Sequence, residues 1–341
     1  MRKFKTILVT GGAGFIGSNF IRYVFEQTDF CGTLINVDSL TYAGKRENLA
    51  DIETHYASNG RYVFIMQDIG NYSEMENIIT TYVVDAIVHF AAETHVDRSI
   101  FGPSEFIHTN IIGTFTLLEI IRKRNENGYP IHFHHISTDE VYGSLGAEGY
   151  FSETSPYDPR SPYSASKASS DHLVKAYYHT YGIPITLSNC SNNYGPYQYP
   201  EKFIPLMITN MVQGKQLPIY GDGKNIRDWV FVDDHNAAVW TILSKGQCGD
   251  TYAIGGGNEW ENIELVKYIC EITAQLTGKP VAEYLSLITY VSDRSGHDRR
   301  YAIDCTKLKR DLGWKPCVDF ADGIALTVRW YCKNLKQVAE Q

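Results

Sequence analysis

The chain has 341 residues, of which 43% are apolar and 21% charged, with a formal net charge of −8. This balance excludes a chain that is disordered as a whole, and the acidic excess argues against a nucleic-acid-binding surface. No apolar run is long enough to cross a bilayer, so no membrane partner is expected.

The basic start Met1–Lys5 passes at once into Thr6–Val9, which is too short for the apolar region of a signal peptide and reads as a first strand. Apolar runs at Leu34–Val37, Tyr62–Met66, Ala86–Phe90, Ile131–Ile136 and Ile185–Ser188 continue the strand series. Helical patterns lie between them at Ile16–Glu26, Ser73–Tyr82, Pro103–Arg124 and Tyr163–Tyr181. The alternation predicts an α/β fold with a Rossmann-type, doubly wound parallel sheet and helices on both faces.

Past residue 190 the texture changes. Ser191–Pro200, rich in Asn, Tyr, Gly and Pro, reads as a long functional loop. A helix is predicted over Lys202–Gln213, a sharp break at Gly255-Gly256-Gly257, and helices over Ile263–Leu276, Thr306–Leu312 and Ala321–Lys333. Residues 1–190 and 228–256 are thus expected to form the dinucleotide-binding domain. Residues 191–227 and 257–341 would form a smaller C-terminal α/β substrate-binding region. The seven cysteines include no Cys-x-x-Cys pair and read as reduced thiols of a cytoplasmic protein.

Thr10-Gly11-Gly12-Ala13-Gly14-Phe15-Ile16-Gly17 follows the first strand and opens the first helix. Gly11 permits a tight turn, Gly14 lets the backbone approach a pyrophosphate, and Gly17 lets helix and strand pack closely. The helix N-terminus offers N–H groups and a positive dipole end to the anion. Asp38 ends the next strand, where an acid accepts from ribose hydroxyls and repels a 2′-phosphate, which favours NAD. Asp68-Ile69, after the third strand, suits the adenine edge, or simply a strand-end cap for Asp68.

Tyr163 and Lys167 lie one turn apart on one helix face, behind Ser161-Pro162, which suits a helix start. An ammonium beside a phenol stabilises phenolate, so the pair predicts a Tyr163 pKa lowered toward working pH and a general base for a substrate hydroxyl. The fifth strand ends in Ser137-Thr138-Asp139-Glu140, at the sheet edge that faces the ligand crevice. Thr138 can bond the reacting oxygen. Asp139 and Glu140 place two carboxyls in one pocket, which pushes their pKa values apart and gives one acid and one base. Taken alone, both could equally cap the following turn. His132, His134 and His135 resemble a metal cluster, but alternate strand faces and the lack of a matching ligand make strand histidines, without metal, the expectation.

With these residues in place, the sequence resembles the extended short-chain dehydrogenase/reductase family. Within it, the chain is similar to the branch that dehydrates dTDP-glucose on the way to dTDP-rhamnose and other deoxysugars. The resemblance runs through Thr10–Ser18, Asp38–Gly44, Ala91–Ser99, Ser137–Gly143, Tyr163–Lys167, Asn192–Lys202, Arg227–Trp229 and Asp293–Asp304. It implies NAD held by Gly11, Gly14, Phe15, Ile16, Gly17, Asp38, Ser39, Thr41, Asp68, Ile69, Ala91, Ala92, Tyr163, Lys167 and Asn193. It implies Thr138, Tyr163 and Lys167 as the oxidation triad, Asp139 as acid and Glu140 as base. Substrate contacts implied are Thr94, Thr138, Asn192, Lys202, Phe203, Pro218, Tyr220, Arg227, Asn262, Arg294 and His297. Ser295 and Phe203 depart from the family's usual proline and aliphatic residue. A homodimer built by helices such as Pro103–Arg124 and Tyr163–Tyr181 is implied too. The expected reaction is transient C4 oxidation, loss of water across C5 and C6, and hydride return to C6. The rivals are a UDP-glucose 4,6-dehydratase, which shares the Asp-Glu pair, and a nucleotide-sugar 4-epimerase, which has no use for it.

Overall fold

The computed structural model describes residues 1–293 and 296–339. In chain order its strands are β1 (Thr6–Thr10), β2 (Thr33–Asp38), β3 (Tyr62–Met66), β4 (Ala86–His89), β5 (His132–Thr138) and β6 (Ile185–Cys190), then β7 (Asn192–Tyr194), β8 (Leu217–Tyr220), β9 (Ile226–Phe231), β10 (Thr251–Ile254), β11 (Glu259–Glu261) and β12 (Ile288–Val291). Seven of them form one sheet in the order β10-β6-β5-β4-β1-β2-β3, and every pairing in it is parallel.

Strand alternation explains the two layers. Ile7 and Val9 of β1 point to one face, where Phe20, Ile21 and Val24 of helix Phe15–Gln27 and Val239 and Ile242 of helix Val232–Lys245 cover them. Leu8 points to the other face, among Met75, Ile79, Leu117, Ile121 and Val174. β5 and β6 are buried along their whole length, and their polar side chains bond across the pair, His132 and His134 to Thr186 and His134 to Ser188. A third core gathers Ile204, Met207, Trp229, Phe231, Leu265, Ile269 and Ile324 around the three-stranded sheet β11-β9-β7. β12 pairs in parallel with β8.

The six predicted strands and the helices between them match within two residues at most ends, with one exception. The predicted helix Pro103–Arg124 is interrupted by a π-helical turn at Ile107–Gly113 before an α-helix runs over Thr114–Glu126. At Gly113 an added Cβ would stand 2.5 Å from Ile69 Cδ1. The close approach to the sheet is thus made at the interruption. Ser191–Pro200 is not wholly a loop, because β7 opens it and pairs with β9. β10, β11 and the helices Ala50–Tyr56, Val96–Phe101 and Val232–Lys245 were not anticipated. They are short or polar at the start, as in Val232-Asp233-Asp234, and their apolar sides meet partners far along the chain.

The topology positions the site. From β1 the chain runs outward to β2 and β3, then returns past β1 to β4 and beyond. Ligands bind at the C-terminal strand ends around such a reversal.

Candidate active site

A cavity of about 400 Å³ opens at this reversal, bounded by the ends of β1, β2, β4, β5 and β6. The glycine turn forms its floor. Gly11 has φ +70°, and a Cβ there would stand 2.6 Å from the Ala91 nitrogen. A Cβ at Gly17 would stand 2.3 Å from the Gly11 carbonyl oxygen. Gly14 is the N-cap of helix Phe15–Gln27 and no side chain caps that helix, so its first N–H groups are left to a ligand. Asp38 is buried with one oxygen accepting from Ala13 N at 2.9 Å and the other from Leu40 N at 2.8 Å. Burial raises its pKa. Ser39, Thr41, Ile69, Ala91 and Ala92 complete this end of the wall. Asp68, also on the wall, is exposed and accepts from Gly70 N at 2.7 Å. The uncapped turn, the glycine cradle and the acid at the end of β2 together fit a dinucleotide.

The reactive side chains converge at the other end. Thr138, Asp139 and Glu140 leave β5 in a 3₁₀ turn, with Thr138 Oγ1 accepting from Glu140 N at 3.3 Å. The helix Pro162–Tyr181 starts with the capping box Ser161/Ser164 and Pro162 in its first turn, so Tyr163 and Lys167 face the cavity from a fixed register. Asp139 is buried, and its carboxyl is held far above the usual range, first by burial and then by the charge of Glu140. Its hold on its proton is thus strengthened, while Glu140 beside it is half-buried.

Tyr163 differs from expectation. Burial, then the charge of Glu140, pushes its phenol up, not down. The Lys167 amine donates to the Ile136 carbonyl at 2.8 Å instead of reaching the phenol. The phenol's own hydrogen bond with Thr138 works in the opposite, lowering direction.

Asn193 is buried and donates to the Ser191 carbonyl at 3.1 Å. Its Oδ1, the Asn192 Oδ1 and the Asp139 Oδ2 are buried without a hydrogen-bond partner. Lys202 Nζ donates to the Thr94 carbonyl at 2.9 Å, so two expected substrate contacts meet. The remaining ones among the described residues lie outside the cavity wall. Arg227 is buried on β9, stacked over Tyr301, and donates to the carbonyls of Ile226 and Asp298 at 2.8 and 2.9 Å. Phe203 stacks on Trp229. Pro218 and Tyr220 lie on β8, and the Tyr220 ring meets the edge of His297, whose Nδ1 lies 2.6 Å from Asp293 Oδ1. Asn262 opens the helix Asn262–Thr277, its N–H bonded to the Asn225 carbonyl. Arg294 and Ser295 lie outside the described residues.

Sequence reading passed over Glu105, His108 and Thr109, which the π-helical region brings to the wall. Such a turn shifts side chains off the 3.6-residue period, so periodicity gives no signal for it. The strand histidines are paired within the core: His132 and His134 both contact Thr186 Oγ1, at 3.1 and 2.8 Å. Among the described residues no group of three or more His, Cys, Asp or Glu is placed to hold a metal ion.

An uncapped dinucleotide cradle, a phenol and an amine, a buried carboxyl of raised proton affinity and a second carboxyl share one cavity. That set can oxidise an alcohol and then run acid–base elimination on the ketone.

Comparison with known proteins bears on the same region. The family described as GDP-mannose 4,6 dehydratase matches residues 8–327. A dTDP-glucose 4,6-dehydratase of Neisseria meningitidis serogroup B is 54% identical over 339 residues, covering 97% of this chain and 94% of its own. The dTDP-glucose 4,6-dehydratase 1 of Escherichia coli K12 is 51% identical over 346 residues, covering 97% and 94%. The crystal structure of DesIV, a dTDP-glucose 4,6-dehydratase from Streptomyces venezuelae with NAD and TYD bound, superposes with a TM-score of 0.88 at 46% identity, covering 97% of this chain and 98% of that one.

Proposed function

Because the chain belongs to the family of the dTDP-glucose 4,6-dehydratases, we propose that its described cavity carries that reaction on five side chains: Thr138, Asp139, Glu140, Tyr163 and Lys167. The protein is an NAD-dependent hydro-lyase that converts dTDP-glucose to dTDP-4-keto-6-deoxyglucose. Bound NAD supplies the hydride acceptor and, later, the hydride donor. The turn Gly11–Gly17 with Asp38, Ser39 and Thr41 would hold it, together with Asp68, Ile69, Ala91, Ala92 and Asn193.

Tyr163 takes the proton of the C4 hydroxyl, with Thr138 bonding the same oxygen and Lys167 stabilising the phenolate. The 4-keto group acidifies C5, and Glu140 removes its proton. Asp139, whose hold on a proton burial and its neighbour's charge strengthen, gives a proton to the departing C6 hydroxyl. The cavity's contribution is orientation and electrostatics. The observation that carries this reading is the pairing of Asp139, whose proton affinity burial and the charge of Glu140 raise, with Glu140 beside Tyr163: an epimerase has no use for that pair. Thr94 and Asn192 would contact the substrate, and Lys202 with the outer residues Phe203, Pro218, Tyr220, Arg227, Asn262, Arg294 and His297 would bind the nucleotide diphosphate, Arg227 as a planar and permanent cation.

A domain division follows, with residues 1–190 and 228–256 serving the cofactor and 191–227 and 257–341 the nucleotide sugar. The apolar side chains Phe101, Ile107, Ile112 and Phe115, exposed along one stretch of the chain, favour burial against a second copy, so a homodimer is our reading. No helix among the described residues is long and apolar enough to cross a membrane. The seven cysteines include no Cys-x-x-Cys pair, and a cytoplasmic location is proposed.

Proton NMR of the protein with dTDP-glucose, and then with UDP-glucose, tests the assignment. A C6 methyl doublet is expected, stronger with the thymine nucleotide. A galactose-type anomeric signal without methyl would overturn the roles of Asp139 and Glu140.

A further inference from the structure

The helix that carries Tyr163 and Lys167 places a third ionisable residue, Asp171, one turn further along the same face. Asp171 and Lys167 are both buried, at 0% and 4% exposure. A carboxylate without solvent needs donors, and Asp171 has them: Ser137 Oγ at 2.8 Å, Tyr157 OH at 2.9 Å and Asn189 Nδ2 at 3.3 Å, all on Oδ2. On the Oδ1 side His135 Nε2 lies 3.1 Å away. Burial opposes its ionisation, but the contact with His135, the charge of Lys167 and the Ser137 hydrogen bond more than offset that, and its pKa lies below the ordinary carboxylate value.

Lys167 has no such shell. Its one hydrogen bond goes to the Ile136 carbonyl, and burial lowers its pKa. The groups that face it are Tyr163 and Asp171 on its own helix, His89 on β4, His135 on β5 and Cys190 on β6. His135 is neutral, its pKa lowered to about 4 by burial, and His89 is lowered further for the same reason. The Cys190 thiol is pushed up to about 12, so it is neutral as well. Asp171 is thus the single ionised carboxylate facing the amine from these elements.

We propose that Asp171 is a positioning residue for the oxidation step: its buried carboxylate fixes the proton on Lys167, so that Tyr163 is the member of the pair that gives its proton up. The inference rests on the reading that the Tyr163–Lys167 pair oxidises the substrate. The pair with one proton removed exists as ammonium with phenolate, which is active, or as amine with phenol, which is not. Asp171 favours the first form. Its charge acts on the lysine, whose hold on its proton it strengthens.

Loss of that charge has an unusual signature. The lysine releases its proton more easily, so the pair's first proton leaves at lower pH, yet the active form becomes scarcer. For Asp171→Asn, single-turnover reduction of bound nicotinamide should show an acid limb moved to lower pH and a plateau about tenfold lower or more. A second readout is independent of turnover. The ultraviolet phenolate signal, taken as the difference between each protein and the same protein carrying Tyr163→Phe, should fall in Asp171→Asn. Tyr157→Phe removes one donor but leaves the charge, and should keep both limb and phenolate signal. Asp171→Ser carries the same test should Asp171→Asn not fold.

A limb and phenolate signal unchanged in Asp171→Asn would overturn the inference. So would a Tyr157→Phe protein that shifts both as far, since that would make packing the cause. If Tyr163→Phe still reduces the nicotinamide, the oxidation reading itself fails. If Tyr163→Phe is inactive while Asp171→Asn behaves as wild type, only the role of Asp171 fails.

Discussion

The cofactor side of the cavity and the outer segments beyond its wall are built in opposite ways. The cofactor side is local: Gly11 to Gly17 and Asp38 sit on one turn and the end of the next strand, and Asp38 Oδ2 bonds Ala13 N only 25 residues away. The outer side is assembled from distant segments. Arg227 is held by the Asp298 carbonyl 71 residues on, and β8 pairs with β12 across a similar span. A motif contained within one turn carries its own geometry. A rim made of long-range contacts fixes residue positions only once the chain has folded.

The largest effect that sharpens this contrast is at the chemical centre. Glu140→Gln keeps the volume and removes the base. It should still reduce bound nicotinamide, while product formation falls about 10²–10⁴-fold, the range for a lost general base. Stopped-flow absorbance and methyl-proton NMR separate the two steps. Equal loss of both would make Glu140 a structural residue of the 3₁₀ turn.

Gly17→Ala comes next. The added Cβ meets backbone, the Gly11 carbonyl, which cannot swing aside as a side chain could. Overpacking of this kind costs about 1–3 kcal/mol, so NAD affinity should weaken roughly tenfold to a hundredfold by calorimetry. The same substitution at Gly128, where an added Cβ meets nothing within 4 Å but φ is +81°, should cost stability and leave NAD affinity alone.

Arg227→Lys probes the rim. The substitution keeps the charge and loses the fork that bonds two carbonyls while stacking on Tyr301. KM for the nucleotide sugar should rise about tenfold with kcat nearly unchanged, the pattern of a lost uniform binding contact. A fall in kcat instead would tie Arg227 to the Asp139 carboxyl, whose proton affinity its charge lowers.

The same contrast explains what was legible in the sequence. The parallel sheet, the glycine turn, Asp38 and the Tyr163–Lys167 register rest on periodicity and short spacing, and the chain order exposes them. Strand β10 was missed because four residues, Thr251–Ile254, carry too little pattern, and their burial depends on β6 and the helix Val232–Lys245. The wall residues Glu105, His108 and Thr109 were missed because a π-helical region breaks the period that would have located them. Tyr163 lines the cavity, but its proton affinity is not legible in the sequence, since burial and the charge of Glu140 depend on how the 3₁₀ turn folds against the helix.

The smallest effect is on stability, and its sign sets the carboxyl of Asp139 apart from the rest of the cavity. Folded Asp139 keeps its proton far above the usual carboxylate value because burial and the charge of Glu140 oppose ionisation. The unfolded chain releases that proton at an ordinary carboxylate pH. Between those two values the folded state binds more protons, so this group makes the protein less stable as pH rises. Asp139→Asn removes the titration. Its melting temperature should match that of the wild type near pH 3, where Asp139 is protonated in both states, and exceed it by about 2–4 °C at neutral pH. Elimination should slow in the same protein, with loss of the C6 hydroxyl affected more than exchange at C5, because the amide has no proton to give. A variant that is less stable at neutral pH than at low pH relative to wild type would mean that Asp139 is ionised in the fold, and would remove the acid from the proposed pair.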